Sequence, residues 1–143
     1  RVYLAVNSFQ YGNFDKGINY LRSALNLCPQ HFPAAHTLTK ALWKCNHGEF
    51  LHWFYQTIEM YPPYLTELLP FGVDAEERSD NDDRAFNIVK NWAYFVARVQ
   101  FSDPSSLFIP TQTFKAVRPY LDRLHPNIRQ QLNKKIEMQK HLY

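Results

Sequence analysis

Between Gly12 and Pro29 the chain reads GNFDKGINYLRSALNLCP, and this stretch limits the fold more than any other. Helical spacing lines Ile18, Leu21 and Leu25 along one side, with Gly17 and Ala24 beside them, so the apolar stripe holds two sites of low bulk. Low bulk on one face lets a second helix approach closely. Asn13 and Asp15 suit the start of this helix, and Pro29, just past Leu27, cannot continue it. Upstream, Val2, Leu4, Ala5, Val6 and Phe9 suit a preceding antiparallel helix, joined to the first by a turn at Tyr11 and Gly12. The predicted unit is a helical hairpin.

The hairpin recurs. The first one closes on Leu21, Ala24, Leu25, Leu27 and Pro29, and 33 residues further on the chain reads Phe54, Thr57, Ile58, Met60 and Pro62. Self-similarity at such a period marks stacked repeats. Leu38, Ala41 and Leu42 fit the first helix of the second copy, whose His47-Gly48-Glu49-Phe50 turn arrives about two residues late. His52 or Trp53 stands there where a small residue is usual.

On Gly12, Phe14, Gly17, Leu21, Ala24, Leu25 and Pro29 the chain resembles the tetratricopeptide repeat family. The resemblance covers about residues 1–62, with the second copy degenerate. It implies an all-α fold, a helical-hairpin α-solenoid fragment, and a non-catalytic protein–protein interaction scaffold that serves as a subunit of a larger multiprotein assembly. Two repeats are fewer than the three usually needed for stability. The expectation is therefore that further repeats precede Arg1 and that the helices of residues 84–143 act as a cap. Members of the family that grip a terminal carboxylate use Lys and Asn at concave positions of the first helix. By register those positions in the first copy hold Val2 and Val6, so that activity is not carried over.

Residues 63–83 read as an apolar turn and an acidic linker: a run from Tyr64 to Leu69 stopped by Pro70, then an exposed link from Asp74 to Asp83. Asp80-Asn81-Asp82-Asp83 lacks the glycine at the sixth place and the glutamate at the twelfth that a calcium loop requires, so its acids are assigned to a helix N-terminus. A helix over about 84–101 carries Ile88, Trp92, Phe95 and Val99 in one stripe, flanked by Phe86, Val89 and Val96. It breaks at the Ser102–Ser106 turn cluster, and Pro110 and Pro119 interrupt the stretch beyond it. Pro126 opens a last helix, with Ile128, Leu132 and Ile136 as its seam and Arg129, Lys134, Lys135 and Lys140 opposite.

Several function classes find no support. The apolar run from Ala85 to Phe101 is broken by Asn87, Lys90, Asn91 and Arg98, which speaks against membrane insertion. Cys28 and Cys45 make no disulfide framework, and no acceptor for N-glycosylation occurs. Both point to a reducing intracellular compartment, cytoplasm or nucleus, with the mitochondrial matrix also open. Cys28-x-x-His31 and Cys45-x-His47 invite a zinc reading, but a helix over residues 33–44 would hold the two pairs roughly 18 Å apart at 1.5 Å per residue. The cysteines read instead as small apolar filler at helix ends. No phosphate loop, His-Glu-x-x-His or Gly-x-Ser-x-Gly is present, so neither enzyme, metal nor cofactor is expected.

Binding is better supported. Stacked hairpins leave a concave surface formed by the first helix of each pair. His36, Lys40 and Lys44 fall at i, i+4 and i+8 with Trp43 beside them, a basic stripe plus an aromatic suited to another subunit or to an acidic or extended peptide. Aromatic residues make up 16% of the chain, and Trp and Tyr are over-represented in interface hot spots. An assembly role predicts that the isolated chain is oligomeric or poorly soluble on gel filtration. The rival partner is RNA or DNA on the C-terminal face: residues 111–143 hold seven basic against two acidic side chains, with Tyr120 and Tyr143 among them. Against that, residues 63–83 hold seven acidic and one basic, and contact between the acidic stretch and the basic tail is an equal alternative.

Overall fold

The computed structural model describes residues 2–102 and 109–140. Among them every regular element is helical: α1 (Val2–Gln10), α2 (Phe14–Leu27), α3 (Phe32–Lys44), α4 (Phe50–Met60), α5 (Leu65–Arg78), α6 (Asp82–Ser102), α7 (Thr111–Val117) and α8 (Pro126–Lys140), with 3₁₀ turns at Pro62–Tyr64 and Arg118–Arg123. The fold is all-α. Two compact units divide the chain, Arg1–Tyr64 and Leu65–Tyr143. The predicted turn at Asp103–Ser106 and Tyr143 lie outside the described residues, as do the side chains of Val2, Val99, Ile136 and Lys140.

In the first unit α1 pairs with α2 and α3 with α4, and α2 also packs on α3. Ile18, Leu21, Ala24 and Leu25 of α2 are buried together with Gly17. A Cβ at Gly17 would stand 2.7 Å from Phe9 Cδ1 and nearer still to Cε1, so the absence of a side chain is what seats the Phe9 ring on α2. Phe14 tilts against the same ring, centroids 5.5 Å apart. Between α3 and α4 the buried Thr39 and Thr57 hydroxyls lie 2.9 Å apart, and Thr39 gives its own proton to the Ala35 carbonyl. Thr57 is therefore the donor of the pair, which leaves neither hydroxyl proton unpaired in the core. Asn13 precedes α2 but makes no side-chain cap bond, contrary to the capping role expected of it.

The second unit corrects the reading of residues 63–83 as a turn and exposed linker. Helix α5 runs through Pro70 and on to Arg78, and Glu76 is fully buried. A proline inside a helix withholds an N–H from the carbonyl four residues back and usually breaks the helix there. Here that carbonyl is Thr66 O, and the buried Thr113 hydroxyl of α7 donates to it at 2.7 Å. The Thr66 hydroxyl in turn accepts the Trp92 indole N–H of α6 at 3.1 Å. A tertiary donor thus replaces the missing local one, and three helices meet at Thr66.

Along α6, Ala85, Ile88, Val89, Trp92, Ala93, Val96 and Ala97 are buried. Phe95, expected in the apolar stripe, is only half-buried. Lys135, expected on the outer face of α8, is only 4% exposed. It stands three residues after the buried Leu132 and so shares its face.

The first helices of the three hairpins α1–α2, α3–α4 and α5–α6 end alike. Two residues past each end, Gly12, Asn46 and Asp80 adopt left-handed φ values of 76°, 52° and 59°. Their N–H groups bond back three residues, to Phe9, Trp43 and Glu77, and the following N–H groups bond back five, from Asn13 to Ser8, His47 to Leu42 and Asn81 to Glu76. That pair of bonds is the Schellman motif. The three left-handed residues stand 34 residues apart at each step. The second copy is therefore not two residues late: its turn is made by Asn46, while Gly48 lies outside the left-handed region. Asn and Asp tolerate this conformation because their short polar side chains hydrogen-bond locally.

Candidate functional site

On the first unit a groove of about 440 Å³ runs between α1 and α3. Val6, Phe9 and Gln10 line it from α1, Phe14 from the start of α2, and His36, Thr37, Lys40, Ala41 and Lys44 from α3. Its shape comes from the packing of α1 on α2. Phe9 is drawn onto Gly17 on one side, and the short Thr37 and Ala41 leave the floor low on the other. Periodicity then puts His36, Lys40 and Lys44 on one wall, as spacing by four residues requires.

The three groove residues predicted from sequence are thus brought together. Lys40 and Lys44 are exposed and His36 is half-buried. The His36 ring lies flat on Tyr64, centroids 4.0 Å apart and 8° between planes. Phe32 extends this cluster, stacked on Tyr61 at 4.6 Å and tilted against Tyr64 at 6.1 Å. Phe32 and Tyr61 remain over one-third exposed, so one end of the basic wall runs into an accessible aromatic shelf. Sequence reasoning missed that shelf, although Phe32, His36, Tyr61 and Tyr64 cluster around the prolines that open α3 and follow α4.

Trp43, the fourth residue predicted, is not part of the groove. Its ring packs against Phe50 of α4, 5.0 Å between centroids. Lys44 is its neighbour in sequence and Lys40 is three residues back, but a helix turns Trp43 by about 100° from Lys44, toward the α4 side. The predicted repeat-packing residues divide by role. Gly17, Leu21, Ala24 and Leu25 are buried, Phe14 is half-buried against Phe9, and Gly12 and Pro29 are exposed at the two ends of the hairpin's second arm. Gly12 has open space around it and takes its left-handed φ without the steric cost of a side chain.

Cys28 and Cys45 do stand at helix ends, but both are exposed, so they do not serve as the apolar filler expected. Each follows the last residue of a helix, where the chain leaves the packed face. Among the described residues no three His, Cys, Asp or Glu side chains come together as a metal site, and no helix is long and apolar enough to cross a membrane.

In the second unit the acidic and basic segments meet. Arg123 lies 3.8 Å from Asp83 and stacks 4.2 Å over the Phe86 ring, and Arg129 lies 3.6 Å from Asp122. The Tyr120 hydroxyl donates to Glu77 at 2.6 Å. Burial first, and then this bond to a carboxylate, push the Tyr120 phenol far above its ordinary value. Glu76 is buried with neither carboxylate oxygen hydrogen-bonded.

No family model matches the chain, and no curated protein matches it significantly.

Proposed function

We propose that this chain is a non-catalytic interaction scaffold of tetratricopeptide-like helical hairpins, and that its α1–α3 groove holds an extended acidic segment of another subunit in a larger assembly. The observation that carries this reading is the groove itself: apolar Val6, Phe9, Phe14 and Ala41 beside a wall of His36, Lys40 and Lys44. Such a surface offers buried area to side chains and positive charge to carboxylates. The 34-residue spacing of the three left-handed caps supports the repeat architecture on which the groove depends. Two free, exposed cysteines suit a reducing intracellular compartment.

The test is charge reversal. Lys40→Glu with Lys44→Glu should abolish binding of the full chain to an acidic peptide, whereas reversing the exposed Lys115 and Lys134 of the second unit should leave it unchanged. Equal losses from both pairs would refute a specific groove. A nucleic-acid role for the basic face of residues 111–143 is the second reading. It predicts oligonucleotide binding that falls steeply with salt and is lost in the Lys115 and Lys134 variant. The pairing of Arg123 and Arg129 with aspartates weakens this reading, since those charges are already partly neutralised.

A further inference from the structure

The groove's two walls differ in chemistry, and that difference prescribes a pattern for what lies between them. One wall is basic, with Lys44, Lys40 and His36 at steps of four residues along α3; the other, from α1, presents Val6, Phe9 and Gln10 and no charge. Four helical residues rise about 6 Å. Two residues of an extended chain cover about 6.6–6.8 Å, and their side chains point to opposite sides in alternation. A strand-like ligand laid along α3 therefore keeps step with the basic wall at every second residue, and turns every intervening residue toward Val6 and Phe9. From Lys44 to His36 is about 12 Å, a span of four extended residues.

We infer that the segment gripped by this groove is an extended peptide with acidic side chains at alternate positions, apolar side chains between them, and an aromatic side chain at the third alternate position. The two acids face Lys40 and Lys44. The aromatic residue meets His36, whose ring, stacked on Tyr64 beside the partly exposed Phe32 and Tyr61, offers a flat aromatic partner. This inference rests on the groove being the binding site and adds the register of what it binds.

Two fluorescein-labelled peptides of identical composition separate the cases when titrated into the full chain: Asp-Leu-Asp-Leu-Phe, flanked by Gly-Ser, and Asp-Asp-Leu-Leu-Phe in the same flanks. Losing one of two exposed ion pairs lowers affinity roughly two- to fivefold. The alternating peptide should bind tighter by about that factor. Lys44→Ala, at an exposed position and so compatible with folding, should erase the preference. Peptides that bind equally well to the parent chain, both weakened by Lys44→Glu, would overturn the register and leave the groove intact. Failure of both peptides to bind, or binding indifferent to Lys40 and Lys44, would overturn the register and the groove reading together.

Discussion

Removing the Thr113 hydroxyl tests how α5 survives a proline at its centre. Thr113→Val preserves shape, and Thr113 is fully buried, so the substitution deletes one donor with little change in packing. The carbonyl it leaves is Thr66 O, which Pro70 already deprives of its helical partner. An unsatisfied buried carbonyl costs about 1–3 kcal/mol, and the second unit should be destabilised by that amount. Pro70→Ala returns an N–H to the same carbonyl. In that background the cost of Thr113→Val should shrink by about 1 kcal/mol or more, the value of one intrahelical bond. Urea unfolding followed by Trp92 fluorescence, with Trp43 and Trp53 replaced by phenylalanine, reads the second unit alone. Equal penalties with and without Pro70, within about 0.3 kcal/mol, would show that the Thr113 bond does not substitute for the missing one.

Gly17→Ala should cost the first unit about 1–3 kcal/mol by driving a methyl into the Phe9 ring, and Phe9→Leu should recover part of the loss on thermal unfolding. Glu76→Met replaces a buried carboxyl group without hydrogen bonds by an apolar side chain of similar volume, so the unfolding free energy of the second unit in urea should rise, by about 1–3 kcal/mol. Tyr120 has a folded-state pKa above its unfolded value near 10, so its contribution is fully present below about pH 10 and is lost as pH rises beyond it. Unfolding at pH 8 and pH 10.5 should therefore show a loss of stability that Tyr120→Phe reduces; an unchanged pH slope in that variant would refute the assignment.

Much of the first unit is legible in the sequence because its packing is local. The stripe Ile18, Leu21, Leu25 with Gly17 and Ala24 states both a helix and a close neighbour, and the structure buries all five. The caps are legible only in part. Glycine is the residue most readily expected in the left-handed region, so Gly48 reads as the turn of the second copy, whereas Asn46 and Asp80 carry that conformation in the second and third hairpins. Gly, Asn or Asp at a fixed interval is the pattern that marks all three. Helix α5 is not legible, because the donor that rescues Pro70 comes from Thr113, 47 residues beyond Thr66. No local pattern announces such a bond. For the groove, the spacing of His36, Lys40 and Lys44 gives one wall correctly. Trp43 fails as a companion because adjacency in sequence is not adjacency on a helix face, and the opposite wall depends on where Phe9 settles.

Amide ¹H–¹⁵N spectra of the full chain, titrated with the alternating acidic peptide, measure the binding surface residue by residue. Saturable shifts should gather at residues 6–14 and 36–44 and fade over the second unit. Shifts centred on Lys115, Arg118 and Lys134, or none at any residue of the α1–α3 groove, would show that the groove is not where the peptide binds.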